Sequence, residues 1–192
     1  ENIDLPSLYY THRRKVFKRN GTWLAHADFM TLKDDEEILF MDGVHPQHNS
    51  TCASAWIEKG KIKTIKSNTG RSRININGVY NAQSQEILIQ ESQTINAETT
   101  IAFLKEIEEY YQNKTRVIII VDNARYYKNK KVTEYLETSI IEFWFLPPYS
   151  PNLNLIERLW KLLRKKIINN KYYESFKKFR TSVLSFFENA NR

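Results

Sequence analysis

The sequence predicts an α/β domain built on a mixed five-stranded sheet flanked by helices, and three observations lead there. Val117-Ile118-Ile119-Ile120-Val121 is an unbroken β-branched run, the pattern of a strand covered on both faces. A second apolar strand, around Phe143-Trp144-Phe145-Leu146, follows it after a helical pattern. Upstream, short apolar segments separated by turn residues read as antiparallel strands, and antiparallel strands followed by helix-linked ones make a mixed sheet.

Residues 1–20 are polar, with Arg13, Arg14, Lys15, Lys18 and Arg19 around Val16 and Phe17. A short amphipathic helix is expected there, ending a linker whose basic cluster could follow a DNA backbone. The acidic run Asp34-Asp35-Glu36-Glu37 reads as a solvated loop, so 1–37 form a lead-in segment. Ile38-Leu39-Phe40-Met41 is then an apolar strand ending at Asp42-Gly43. Segments 53–58 and 61–66 are expected as short strands joined by a tight hairpin at Lys59-Gly60. Residues 73–80 and 86–90 form a second pair, with Ile74, Ile76 and Val79 set against polar neighbours.

Asn96 or Thr94 opens a helix reaching about Tyr111, with Ile101, Leu104, Ile107 and Tyr111 on its apolar face. The strand at 117–121 comes next, then a helix from Lys128 to Leu136 and a last strand over 140–145. In the rigid turn Pro147-Pro148-Tyr149-Ser150-Pro151, Ser150 is suited to cap a helix and Pro151 to begin it. That helix is expected over 152–169, because Leu153, Ile156, Trp160, Leu163 and Ile167 recur at spacings of three and four and form one buried stripe. A final helix over 175–189 would bury Phe176, Phe179, Val183 and Phe186 or Phe187, so residues 171–192 are expected to pack on a main domain spanning 38–170.

A chain of 192 residues suffices for one well-buried domain and a short appendage. Cys52 is the single cysteine, which excludes an internal disulfide. No apolar run approaches the roughly 18 to 20 residues of a membrane span, and the N-terminus lacks a basic-then-apolar signal pattern, so a cytoplasmic protein without a membrane partner is expected. The net charge is +7, yet residues 157–192 hold 10 of the 29 basic and 3 of the 22 acidic side chains, so the whole excess lies in that last stretch. A basic face of this kind suits contact with phosphates, although an ordinary solvated helix face reads the same way.

Candidate chemistry read from the residues alone centres on Asp122, which ends an apolar strand, and on Glu157 beside the helical stripe. Acids at the carboxyl ends of central strands lie where ligands bind in open α/β sheets; an Asp after a strand also commonly caps a turn. Glu157 lies beside the stripe, where a carboxylate is costly unless it is paired or binds a cation. Arg158, Lys161 and Arg125 are its possible ion-pair partners, and the residues alone leave both readings open. His45 and His48 form an H-x-x-H pair, but a closed zinc site needs about four ligands and Cys52 is the only thiol nearby. They are expected in a loop beside the site, touching substrate phosphate.

The stretch DNARYYKNKKV followed by FLPPYSPNLNLIERLWKLLRKK resembles the second half of the catalytic core of DDE transposases of the mariner superfamily, in the bacterial insertion-sequence branch. WIEKGK at 56–61 and GRSRININGVY at 70–80 resemble the strands that follow the first Asp in this branch, so the likeness runs from about residue 23 to about 170. It implies an RNase H-like fold, and Asp42, Asp122 and Glu157 as the catalytic and metal-binding acids, with 34 residues between the last two. Two Mg²⁺ ions are implied, replaceable by Mn²⁺, with Asp42 bridging both and the other acids each holding one. The activity implied is metal-dependent cleavage and strand transfer of double-stranded DNA, transposon ends and target, in cut-and-paste transposition. Arg125, Lys128, Lys161 and Arg164 are then candidates for holding phosphates. The likeness also implies helix-turn-helix modules upstream of Glu1, a homodimer of the full-length protein, and association with the nucleoid. Tyr127 stands where family members commonly have His, and Leu155 where they have Pro. The alternatives are an RNase H-like nuclease without strand transfer and a catalytically silent DNA-binding derivative.

Overall fold

The computed structural model describes residues 33–148 and 153–190, except 55, 63 and 69, together with the backbone of 17–19 and 22–24. The strands are β1 (Phe17–Arg19), β2 (Thr22–Leu24), β3 (Glu36–Val44), β4 (Asn75–Asn81), β5 (Ile87–Ser92), β6 (Arg116–Val121) and β7 (Ile141–Phe145). The helices are α1 (Ala97–Tyr110), α2 (Lys130–Leu136), α3 (Ile156–Leu163) and α4 (Phe176–Ala190), and a π-helical turn, Arg164–Ile168, extends α3.

The strands form one sheet in the order β2-β1-β7-β6-β3-β4-β5. The five expected strands are present as β3 to β7. β6 lies at the centre, parallel to β3 on one side and to β7 on the other, while β4 and β5 continue antiparallel from β3. The sheet also has two strands more than expected. Residues 17–19, expected in a helix, form β1 and pair with β2, and Lys18 pairs with Phe145 of β7. Pairing there covers the edge of β7, whose backbone donors and acceptors would otherwise face water; the rest of the expected helix, 1–16, lies outside the described residues.

The expected hairpin over 53–66 is the second correction. Its turn exists, with Gly60 at φ +84 and the Lys61 amide donating to the Glu58 carbonyl at 3.0 Å, but the described residues around it form no strands. Trp56, Ile57 and Ile62 are exposed at 104%, 53% and 92%, so no sheet supports the segment, and an isolated two-stranded hairpin is marginal in water.

Alternation along the buried strands explains their unbroken apolar sequence. Phe40, Ile76, Ile118 and Ile120 face α3 and α4, packing with Ile156, Leu159, Trp160, Leu163, Phe179, Val183 and Phe187. Leu39, Met41, Ile119 and Val121 face α1 and α2, packing with Phe103, Leu104, Ile107, Val132 and Tyr127. Both faces are covered, so neither parity of residue needs to be polar.

The helix ends follow local chemistry. Asn96 and Thr99 form a reciprocal capping box on α1, and the Asn129 side chain accepts from the Lys131 amide, so α2 starts at Lys130 instead of Lys128. α3 starts at Ile156, later than expected, with Leu155 at its cap and no capping side chain; Ser150 and Pro151 lie outside the described residues. The π turn closes through the Asn169 amide onto the Arg164 carbonyl at 2.8 Å. The acidic run is also structured: Arg116 joins Glu36 at 3.3 Å to Glu142 at 2.7 Å across three strands, and Lys114 pairs with Glu37 at 2.8 Å. Tyr127 and Leu155, the two departures noted above, are both core residues, 1% and 5% exposed.

Candidate active site

The sheet register brings two of the acids together. Phe40 pairs with Ile120 across β3 and β6 and both face α3. Asp42 and Asp122 lie two residues further along their parallel strands, so alternation places them on that same face at the carboxyl ends. α3 crosses there and supplies Glu157. Asn154 Nδ2 donates to the Met41 carbonyl at 3.1 Å, and Trp160 Nε1 donates to Asp42 Oδ2 at 3.0 Å. Glu157 lies midway between these two anchors, three residues from each.

Electrostatics reflect the crowding. Burial, reinforced by the charges of Glu157 and Asp122, raises the Asp42 carboxyl from 3.8 to about 7, against the opposing hydrogen bonds of the Gly43 backbone and Trp160. Asp122 is exposed, and its Oδ1 accepts from the Ala124 amide at 2.9 Å. The turn-capping and ligand-binding readings of Asp122 are thus compatible, since one carboxylate oxygen makes the turn. Asn123 steadies this loop by donating to the Leu146 carbonyl at 2.7 Å. Among the described residues no ion pair joins Glu157 to Arg158, Lys161 or Arg125, so the neutralising salt bridge considered for it is not formed.

Carboxylate oxygens are the donor type that a hard divalent cation takes. Three carboxylates share one face, and none of them carries a cationic partner among the described residues. Among the described residues no group of three or more His, Cys, Asp or Glu is placed to hold a metal ion, so the three acids do not form a ready-made ion site in this structure. An open carboxylate set suits a cation that keeps several waters and takes further oxygens from a phosphate.

The candidate phosphate contacts divide. Lys161 and Arg164 are exposed and follow Glu157 at i+4 and i+7, along one side of the helix leading away from the acids. Arg125 is exposed in the turn after Asp122. Lys128 is exposed but engaged, donating to Asn123 Oδ1 at 2.6 Å with its ammonium 5.5 Å from the centre of the Phe145 ring. His45 is exposed, with Nδ1 2.8 Å from Asn75 Oδ1. His48 requires a correction: it is 9% exposed, its Nε2 lies 2.8 Å from the Tyr173 carbonyl, and its ring packs against Phe176 and Phe179. It anchors the loop after β3 to the start of α4 and is not presented to a phosphate.

Sequence reasoning missed Asn154 as a site residue and took Trp160 only as part of the stripe. The available signal was the spacing Asn154, Glu157, Trp160, in which two hydrogen-bonding side chains flank the acid at one-turn intervals.

The model of the family described as DDE superfamily endonuclease matches residues 37–180. The insertion element IS630 uncharacterized 39 kDa protein of Shigella sonnei is 22% identical over 158 residues, 82% of this chain and 46% of that protein. Among solved structures, the Mos1 transposase paired-end complex with left transposon end superposes with a TM-score of 0.64 at 16% identity, covering 84% of this chain and 51% of that one. The mariner Mos1 paired end complex with Mg gives 0.63 at 18% identity, covering 84% and 50%. These likenesses show the RNase H-like fold, and the chain spans about half the length of the relatives it matches.

Proposed function

The chain belongs to the DDE superfamily of endonucleases, and from that premise we propose that it is the catalytic domain of a transposase that cleaves DNA and transfers the cut strand in cut-and-paste movement of an insertion sequence. The observation that carries this reading is that Asp42 lies within electrostatic reach of Asp122 and Glu157, with no cationic partner for any of them among the described residues; burial first, and the charges of Glu157 and Asp122 after it, raise Asp42 to about 7. Such a cluster is electrostatically costly in isolation and becomes favourable around cations.

Asp42, Asp122 and Glu157 would hold the divalent cations in this proposal, two Mg²⁺ ions with Mn²⁺ able to substitute. Bound there, such ions would supply charge stabilisation to the attacking and leaving oxygens of a phosphodiester and a lowered pKa to the attacking water. Asp42 would have to be ionised for this. Arg125, Lys161 and Arg164 hold the DNA backbone beside the acids, with Lys128 and His45 at the margin. Water attacks phosphorus in cleavage and expels a 3′-oxygen; the resulting 3′-hydroxyl attacks a target phosphodiester in joining and displaces the target strand's 3′-oxygen, which leaves as a hydroxyl, so no covalent link to the protein is required.

The partner is double-stranded DNA, as transposon end and as target, and the protein acts in the bacterial cytoplasm on the nucleoid. No helix among the described residues is long and apolar enough to cross a membrane. In this proposal the full-length protein acts as a homodimer, since one cut-and-paste event has two transposon ends to process. The catalytic domain takes in the strands at 17–19 and 22–24 together with 36–170, and the helix Phe176–Ala190 closes its core. The test uses the full-length protein on DNA carrying its terminal repeats. Asp122→Asn and Glu157→Gln should each abolish metal-dependent nicking and joining, and retained nicking by either refutes the assignment. Nicking without joined product from the unaltered protein would make it a nuclease.

A further inference from the structure

We infer that Asn154 and Trp160 are positioning residues that fix the register of the Glu157 helix against the Asp42 strand, with the indole N–H orienting the Asp42 carboxylate and Gly78 providing the slot for the indole. The inference deepens the metal-dependent reading above and rests on it.

Three observations carry it. First, the two side chains reach β3 at adjacent points: Asn154 Nδ2 bonds to the carbonyl of Met41, and Trp160 Nε1 bonds to the side chain of the next residue, Asp42. Both residues are almost fully buried, at 3% and 1% exposure. With one tether a turn before Glu157 and the other a turn after it, the helix can neither slide nor roll without breaking one. Second, Gly78 pairs directly with Asp42 across β3 and β4. A Cβ at position 78 would lie 2.5 Å from Trp160 Cη2 and 3.0 Å from Cζ2. The indole occupies the space that any other residue would fill, and this is how its N–H reaches the carboxylate. Third, Asn154 Oδ1 is buried without a hydrogen-bond partner among the described residues. Packing alone gives no reason to keep an amide there, whereas a donor to the Met41 carbonyl does.

The indole is a donor with a single N–H, so it holds one carboxylate oxygen and fixes the plane of the group. Groups that orient a metal ligand in this way usually change metal affinity by about 10-fold to 100-fold when removed. A merely structural Trp160 would affect stability and leave metal affinity unchanged.

The discriminating variant is Trp160→Phe, which keeps an aromatic ring in the core but loses the N–H together with the Cζ2 and Cη2 atoms that lie over Gly78. In full-length protein the Mn²⁺ concentration for half-maximal nicking should rise roughly 10-fold or more, with DNA affinity little changed and the melting temperature in EDTA lowered by the space that the shorter ring leaves. An activity-independent readout is ¹H–¹⁵N NMR of the protein titrated with Mn²⁺. The indole signal missing from Trp160→Phe should broaden early in the unaltered protein, together with backbone signals near Asp42, Asp122 and Glu157. In Trp160→Phe that backbone broadening should need about 10-fold more Mn²⁺. An unchanged Mn²⁺ midpoint in both assays overturns the positioning role and leaves the metal site standing. If no signal near the three acids responds to Mn²⁺ at all, the metal reading and this inference fall together.

Discussion

Replacing Asp42 by Asn should destroy catalysis and make the metal-free protein more stable, increasingly so as pH rises. The folded state holds the Asp42 proton up to about pH 7, whereas an unfolded chain releases it near 3.8. Between those values the folded form binds more protons than the unfolded form, so the stability of the unaltered protein falls as pH rises. An Asn at this position has no such dependence, and its side-chain oxygen can still accept from Trp160. Linkage across the full shift is worth about 4 kcal/mol, of which about 2 kcal/mol develops between pH 5.5 and pH 8. For a domain of this size that corresponds to a melting-temperature gap between Asp42→Asn and the unaltered protein that widens by about 4–8 °C over the interval. Thermal melts of both proteins in EDTA at the two pH values measure it, and the comparison cancels other titrating groups. Saturating Mg²⁺ at pH 8 should narrow the gap, since a cation that binds the ionised cluster stabilises the unaltered protein selectively. A gap that stays constant or shrinks with rising pH would refute the electrostatic account of this site.

Three further outcomes follow from the packing and the surface. Gly78→Ala alone should cost about 1–3 kcal/mol by driving the indole out of its slot, and combining it with Trp160→Phe should recover part of that loss; strictly additive melting shifts would show that the two residues do not share the space. Lys161→Ala and Arg164→Ala should each lower the slope of log affinity against log salt for duplex DNA by about one, and an unchanged slope would remove that residue from the backbone contacts. Arg116→Leu should destabilise the domain by about 1–3 kcal/mol in chemical denaturation, because it leaves Glu36 and Glu142 without the guanidinium between them; equal midpoints would make the cross-strand pair ornamental.

The parts of the molecule that were legible in the sequence are those in which a periodic pattern maps onto one physical environment. The β-branched run at 117–121 is buried throughout, and the stripe on α3 packs where its spacing placed it. Legibility failed where a segment's structure depended on a neighbour distant in sequence. Residues 17–19 join the sheet because β7 needs an edge partner, and residues 53–66 carry strand-like composition but have no sheet to join. His48 resembled a solvent-facing loop histidine, yet Tyr173, 125 residues later, supplies the carbonyl beside its ring nitrogen.

The candidate site shows the same division within a single helix. Position and apolar context pointed to Glu157 because a carboxylate beside a buried stripe demands an explanation. Trp160 met every requirement of a core residue, and in volume and burial it is one. Its second role depends on one N–H and on a glycine across the sheet, and an apolar period of three and four cannot register either. A residue can therefore satisfy the core pattern completely while its one polar atom serves the site. Such atoms become visible only once the register of β3 against β4 sets Asp42 opposite Gly78 and the fate of each buried donor is followed.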